Sequence, residues 1–173
     1  MSAATVVLID QATKSLAVAN LAPGVTKHIV GPLSLQLLYN HGLVSSIGNV
    51  SHGVSSATPL IAELIGCFLV TLLVLFTHGG VDRASGLGMG LFLGGGFGNL
   101  ADRLFRPGGS VVDFIQLKTS AFVFNIADVA LIIGFAVLAF DYTVIVIRVM
   151  RETSMEIQAT HAKAVMLPTG DMQ

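Results

Sequence analysis

The sequence predicts an all-α membrane protein with four transmembrane helices and a small β-rich element. The chain has 173 residues, a mean hydropathy of +0.81 and only 11% charged residues. A soluble domain typically has about 25% charged residues, so the composition is that of a membrane protein. Several apolar runs approach the about 20 residues that a helix needs to cross a bilayer. The net charge of −1 gives no reason to expect a nucleic-acid partner.

The first predicted span covers about residues 2–21 and is the most polar of the four. Asp10, Gln11 and Lys14 interrupt its apolar residues. Because Asp10 and Lys14 are four positions apart, they share one face of a helix and partly neutralise each other. A soluble amphipathic helix is the alternative, but the three stronger spans that follow favour a membrane helix.

The other three spans are predicted at about residues 58–78, 86–103 and 124–147. The third of the four is rich in glycine, which destabilises a soluble helix but allows a neighbouring helix to approach closely in a membrane. The fourth contains the longest apolar run. Glu63 and Asp141 lie near span ends, where a charge at the membrane interface is the simplest explanation.

Residues 22–57 differ in pattern and are predicted to form a small β-rich element on the membrane surface. Along residues 33–39, apolar side chains alternate with Ser34 and Gln36, which is the two-residue period of a half-buried strand. Residues 110–117 are predicted to form a second strand that joins the first one after a Pro-Gly-Gly turn.

Four spans place both termini on the same side of the membrane. The tail at about residues 148–173 carries Arg148, Arg151 and Lys163. Since cationic segments favour the cytoplasmic side, both termini are predicted to be cytoplasmic. The opposite loops carry nearly as many cations, so this bias is small. Residues 159–173 show no clear pattern and are predicted to form a loose tail.

Three polar blocks lie in or beside the most apolar sequence of the chain. They are residues 98–103 (GNLADR), 111–115 (VVDFI) and 124–128 (FNIAD). Carboxylates and amides are costly in a bilayer, so they tend to be kept where they face a bundle interior. The asparagine and aspartate of the first block share a helix face, as do those of the third block. The polar groups of all three blocks are therefore predicted to meet at one membrane boundary.

Two interpretations of these groups are open. In the first, they form a buried structural network in which Asp102 pairs with Arg103 and the asparagines bridge helices. In the second, Asp113 and Asp128, which lack an obvious adjacent cation, are the acid and base that share a proton around a water. A proton-coupled transporter and a non-catalytic scaffold are rivals from other classes. The chain has no evident internal repeat, which argues against the transporter.

The polar blocks, together with two further short motifs, resemble the signal peptidase II family of bacterial intramembrane aspartic proteases. The matching segments follow the family order over about residues 9–140, which is most of the chain. They are residues 10–14 (DQATK), 40–42 (NHG), 98–103, 112–114 (VDF) and 124–128.

This resemblance implies a four-helix protease of the bacterial inner membrane, with a small extracytoplasmic β-cradle. Its substrate would be a prolipoprotein whose cysteine already carries diacylglycerol, cut on the N-terminal side of that cysteine. Membrane lipids would be its other partners, and neither a metal nor a cofactor is expected. The resemblance also implies that Asp113 and Asp128 are the catalytic pair.

Further roles follow from the same resemblance, residue by residue. Three positions are expected to hold the substrate backbone or to support the catalytic pair: Asn99, Arg103 and Asn125. Five positions are expected to be structural or to line the pocket: Asp10, Lys14, Asn40, Gly42 and Asp102.

The sequence departs from the family pattern around its loops. The turn at residues 107–109 lengthens the spacing from Asp102 to Asp113, and the loop from Asp113 to Asp128 is short. No aromatic residue follows the 40–42 motif directly. Few residues precede Asp10, which is the pattern expected if the natural chain starts further upstream.

Overall fold

The computed structural model describes residues 2–42, 57–77, 83–118 and 122–166. Four helices and four strands follow one another along these residues. In chain order they are α1 (Ala3–Asn20), β1 (Thr26–Val30), β2 (Leu33–Asn40), α2 (Ala57–Thr77), α3 (Arg83–Phe105), a 3₁₀ turn (Pro107–Gly109), β3 (Val111–Leu117), β4 (Val123–Phe124) and α4 (Ile126–Met166). The predicted four helices and the β-rich element are confirmed.

The chain divides into two units, Met1–Leu138 and Ala139–Gln173. The first unit contains α1 to α3, the sheet and the first turns of α4. The second unit contains the remainder of α4. All the predicted site residues belong to the first unit.

Among the described residues, one helix is both long and apolar enough to cross a membrane. This stretch is Ile126–Ala162 of α4, whose most apolar 18-residue window has a mean hydropathy of 2.4, and α2 contributes a shorter apolar stretch, Leu60–Phe76. Large apolar side chains nevertheless lie exposed on the other helices as well, including Leu8 on α1, Phe76 on α2 and Phe97 on α3.

Glycines of α3 allow this helix to pack closely between its neighbours. A methyl group added at Gly94 would lie 2.6 Å from the Cβ of Val6 in α1. One added at Gly95 would meet the backbone oxygen of Ala127 in α4. The predicted use of glycine for close helix contact is therefore confirmed for both sides of α3.

The four strands form one antiparallel sheet in the order β1-β2-β3-β4. Both predicted strands are present as β2 and β3. Their register pairs Leu38 with Asp113 and Asn40 with Val111, so Asp113 lies beside the end of β2. The sheet packs on the end of α1 through a small apolar core that includes Leu37 and Val112.

Helix α4 differs most from its prediction. A span at about residues 124–147 and a loose tail from residue 159 were predicted, whereas the helix continues to Met166. Residues 148–166 contain no glycine or proline and are rich in good helix formers, so the helix has no local reason to end. The loose-tail prediction is therefore wrong as far as residue 166, and residues 167–173 lie outside the described residues. The part of the β-rich element at residues 43–56 also lies outside them.

Candidate active site

Asp113 lies on β3 and is only 1% exposed. Each of its carboxylate oxygens accepts a hydrogen bond from an amide side chain. Asn40 Nδ2 donates to Oδ2 at 3.0 Å, and Asn125 Nδ2 donates to Oδ1 at 2.7 Å. Burial, followed by the nearby charge of Asp128, raises the pKa of Asp113 to about 7. A carboxyl group in this position can hold a proton near neutral pH.

Asp128 lies in the first turn of α4 and exchanges hydrogen bonds with Asn125, the residue before the helix. The backbone N–H of Asn125 donates to Asp128 Oδ2 at 3.1 Å. In return, the backbone N–H of Asp128 donates to Asn125 Oδ1 at 2.9 Å. This is the reciprocal arrangement of a capping box, and it fixes both side chains. Because Asn125 Oδ1 is engaged in the cap, its Nδ2 faces Asp113, so Asn125 connects the two aspartates.

Asn99 of α3 holds the other oxygen of Asp128. Its Nδ2 donates to Asp128 Oδ1 at 2.9 Å. Its Oδ1 accepts from Lys14 Nζ at 2.9 Å and from Asn125 Nδ2 at 3.1 Å. An ammonium group can only donate hydrogen bonds, so Lys14 sets which way the Asn99 amide points.

Lys14 is fully buried and lies between two carboxylates that are also fully buried. Its Nζ is 2.8 Å from Asp10 Oδ2, which confirms the predicted pair, and 3.1 Å from Asp102 Oδ2. Asp10 Oδ1 accepts the backbone N–H of Ala127 at 2.9 Å, near the start of α4. The first helix therefore caps the helix that carries Asp128.

Asp102 anchors the start of β3. Its Oδ2 accepts the backbone N–H of Val112 at 3.0 Å, next to Asp113 in the chain. Its Oδ1 accepts from Arg106 Nε at 2.7 Å. The predicted pair of Asp102 with Arg103 is therefore wrong, whereas Asn99 does bridge helices, as the same interpretation expected. Successive helix residues do not face each other, whereas residues four apart do, and this spacing favours Arg106.

Arg103 instead contacts α2 and the end of the 40–42 motif. Its Nε donates to Glu63 Oε2 at 3.2 Å, and its Nη2 donates to the backbone oxygen of Gly42 at 2.8 Å. Sequence reasoning explained Glu63 only by its place near a helix end and missed this pair. The two residues are 40 positions apart, so no local spacing indicated the contact.

Gln11 is a second residue that sequence reasoning missed. Its Nε2 donates to the backbone oxygen of Gly98 at 2.9 Å and to Asp102 Oδ1 at 3.1 Å. It thereby ties α1 to α3 beside the Lys14 cluster. Its position inside the 10–14 motif, between two residues that were singled out, was the signal that pointed to it.

A pocket of about 190 Å³ lies against these polar groups, between α2, α3 and α4. Asn99, Arg103 and Asp128 line it together with Glu63 and Cys67. Asp113 is not among its lining residues, and its carboxylate is connected to the pocket wall through Asn125 and Asn99. The arrangement provides two carboxylates in one network, and one of them, Asp128, borders the cavity.

Known proteins resemble this chain over most of its length. The family described as Signal peptidase (SPase) II matches residues 2–144. A lipoprotein signal peptidase of Leifsonia xyli subsp. xyli is 38% identical over 132 residues, which cover 73% of this chain and 58% of that protein. A lipoprotein signal peptidase of Burkholderia thailandensis is 32% identical over 143 residues, which cover 79% of this chain and 81% of that protein.

Two solved structures, both of bacterial membrane enzymes studied by the in meso method, share the fold. The first gives a TM-score of 0.63 at 23% identity and covers 80% of this chain and 88% of the other. The second gives a TM-score of 0.61 at 24% identity and covers 88% and 87%. Since the family pattern matches most of the chain and both named relatives are more than 30% identical to it, this chain belongs to the signal peptidase II family of aspartic peptidases.

Proposed function

We propose that this protein removes the signal peptide from diacylglyceryl-modified prolipoproteins, with Asp113 and Asp128 as its catalytic pair. The cut falls on the N-terminal side of the lipidated cysteine. The observation that carries the proposal is the shared contact of both aspartates with Asn125, through its side-chain amide and its backbone N–H. Two carboxylates in one network cannot both ionise cheaply, so the pair holds one proton over a working range of pH.

The surroundings of the two aspartates support a division of labour. Asp128 borders the pocket and lies in the first turn of α4, where the helix N-terminus stabilises a negative charge. Asp113 is buried, and its raised pKa of about 7 lets it hold a proton up to near-neutral pH. Asp128 is therefore assigned as the base and Asp113 as the acid.

The proposed reaction proceeds by general acid–base catalysis. Ionised Asp128 removes a proton from a water molecule while that water attacks the scissile carbonyl carbon. Protonated Asp113 gives its proton to the carbonyl oxygen, so that a neutral tetrahedral gem-diol forms. The proton held by Asp128 then passes to the leaving amine as the C–N bond breaks, and one hydroxyl of the gem-diol returns its proton to Asp113. Positioned acid–base groups of this kind contribute about 10²–10⁴ in rate.

The proposed membrane placement is four spans, with both termini in the cytoplasm and the sheet outside it, in the bacterial inner membrane. The long apolar stretch of α4 and the exposed apolar side chains of the other helices support this placement. The site then lies where water enters from outside while the diacylglyceryl chains stay in lipid. A cysteine placed after Arg151 should react with a membrane-impermeant reagent only after the membrane is opened, and labelling in intact cells would contradict the topology.

The decisive experiment is cleavage of a lipidated prolipoprotein by the purified protein in detergent. Turnover in the absence of a transmembrane gradient excludes a transporter, and turnover of any kind excludes a scaffold. The matched substrate without diacylglycerol should be cleaved far more slowly. Absence of cleavage by folded protein under all detergent conditions would overturn the proposal.

A further inference from the structure

The guanidinium group of Arg103 is held at two of its three nitrogens. Nε donates to Glu63 and Nη2 donates to the backbone oxygen of Gly42. The side chains of Arg103 and Glu63 are only 5% and 11% exposed. Because a guanidinium group is planar and its donors form a rigid fork, these two contacts fix the direction of the third nitrogen.

That third nitrogen, Nη1, has no acceptor. It is buried and makes no hydrogen bond with any residue in the described part of the chain. A buried donor without an acceptor is costly, and more so when it carries charge. Arg103 lines the same pocket as Asp128 and Asn99. The site therefore fits an incoming acceptor, such as the carbonyl oxygen of an extended peptide next to the bond that is cut.

We infer that Glu63 is a positioning residue, which holds the Arg103 guanidinium so that Nη1 meets a backbone carbonyl of the substrate. This inference rests on the proposed peptidase function and deepens it. Glu63 acts only through Arg103 and does not touch the reacting atoms. Its carboxylate also supplies the negative charge that Arg103 needs in a buried place.

Substrate binding is the property that this role predicts to change. Glu63→Ala should raise KM by about tenfold, since a hydrogen bond from a charged group has about that effect, and should change kcat much less. Glu63→Gln should give a smaller rise, because its amide oxygen can still accept the Nε–H of Arg103. In an Arg103→Gln background, Glu63→Ala should add little to KM. Glu156→Ala, at an exposed position of α4, is the control and should keep the wild-type KM.

These outcomes separate positioning from a purely structural role. A structural role would lower the unfolding temperature and the yield, but would leave the KM of the folded fraction unchanged. A wild-type KM for folded Glu63→Ala overturns the inference. It is also overturned if Glu63→Ala raises KM equally in the wild-type and the Arg103→Gln backgrounds. If Glu63→Ala does not fold, the KM of Glu63→Gln is compared in the wild-type and the Arg103→Gln backgrounds. An unchanged KM, or an equal rise in both backgrounds, then overturns the inference.

The test also distinguishes failure of this inference from failure of the proposed function. If the wild-type protein does not cleave lipidated prolipoprotein, the proposed function itself has failed. If the wild type cleaves and the asparagine variants of Asp113 and Asp128 do not, an unchanged KM in Glu63→Ala overturns only the role of Glu63.

Discussion

Lys14 on α1 lies one side chain away from a proposed catalytic carboxylate, because its Nζ donates to Asn99 Oδ1 at 2.9 Å. Asn99 in turn donates from Nδ2 to Asp128 Oδ1 at 2.9 Å. If the Asn99 amide were turned over, an oxygen would face Asp128 and a nitrogen would face Lys14, and both contacts would be repulsive. The buried lysine therefore stabilises the packing of α1 and also the orientation of the amide that holds Asp128.

We predict that Lys14→Met strongly destabilises the protein. Methionine has a similar length but no charge, so Asp10 would remain buried without its cation and Asp102 would keep only Arg106. Removing one partner of a buried ion pair typically costs about 3–5 kcal/mol. The measurement is the unfolding temperature in detergent, with Lys27→Met on the exposed strand β1 as the control. Equal unfolding temperatures for the two variants would show that the Lys14 cluster does not contribute to stability.

Asp102→Asn should give an enzyme that is less stable and only partly active. The amide oxygen can still accept the Val112 N–H, but the ion pairs with Lys14 and Arg106 are lost. Because Asp102 anchors β3 just before Asp113, the catalytic pair should be slightly misaligned but intact. Cleavage rate and unfolding temperature should therefore fall together. A variant of normal stability without detectable turnover would move Asp102 into the catalytic set.

The fold and most of the site were predictable because their signals are local in the sequence. Apolar runs predicted the helices, the two-residue period predicted β2, and the spacing of four predicted the pair of Asp10 with Lys14. The end of α4 was not predicted, since the prediction followed hydropathy, and residues beyond 147 are polar but still favour a helix.

The partners of the buried charges were not predictable in the same way. Lys14 meets Asn99 across 85 positions, and Arg103 meets Glu63 across 40. Such contacts depend on how α1 and α2 pack on α3, and hydropathy does not report this packing. The pairing of Arg103 with its chain neighbour Asp102, one of the two interpretations left open, is therefore wrong.

The cleavage rate, plotted against pH, should show an alkaline limb, which is a fall with rising pH centred near pH 7. The pKa of Asp113 is raised from 3.8 to about 7, so its proton is retained below that pH and lost above it. Since the proposed acid must be protonated, the rate should fall as the pH rises through about 7. The folded state also binds more protons than the unfolded state between these two pKa values, so stability should decrease over that interval as the pH rises.

Asn40→Ala should move this limb to higher pH. The hydrogen bond from Asn40 favours the ionised form of Asp113, so its loss raises the pKa of Asp113 further. The check is the cleavage rate of the folded variant over a pH series, beside the wild type. His28→Ala is a suitable control because His28 bonds Ser34 and not Asp113. If the fall in rate of Asn40→Ala occurs at the same pH as in the wild type, or at a lower pH, the role given to Asp113 is contradicted.

The replacement of either catalytic aspartate by asparagine should abolish cleavage. Asparagine keeps the size of the side chain and much of its hydrogen bonding, but it can neither accept the proton of the water nor share one. Asp113→Asn and Asp128→Asn should therefore both be inactive. Because the two groups act as a unit, the double variant should be scarcely worse than either single one.

Binding separates loss of chemistry from loss of structure in these variants. Both should still bind the lipidated substrate, since the apolar surfaces of the helices are unchanged. Asp141→Asn, in the part of α4 that belongs to the second unit, should keep near-normal cleavage and serves as the matched control. If a folded Asp113→Asn or Asp128→Asn variant cleaves at a near-normal rate, the pair is assigned wrongly. The catalytic carboxylate must then be Asp102 or Asp10, the two other aspartates in contact with Lys14.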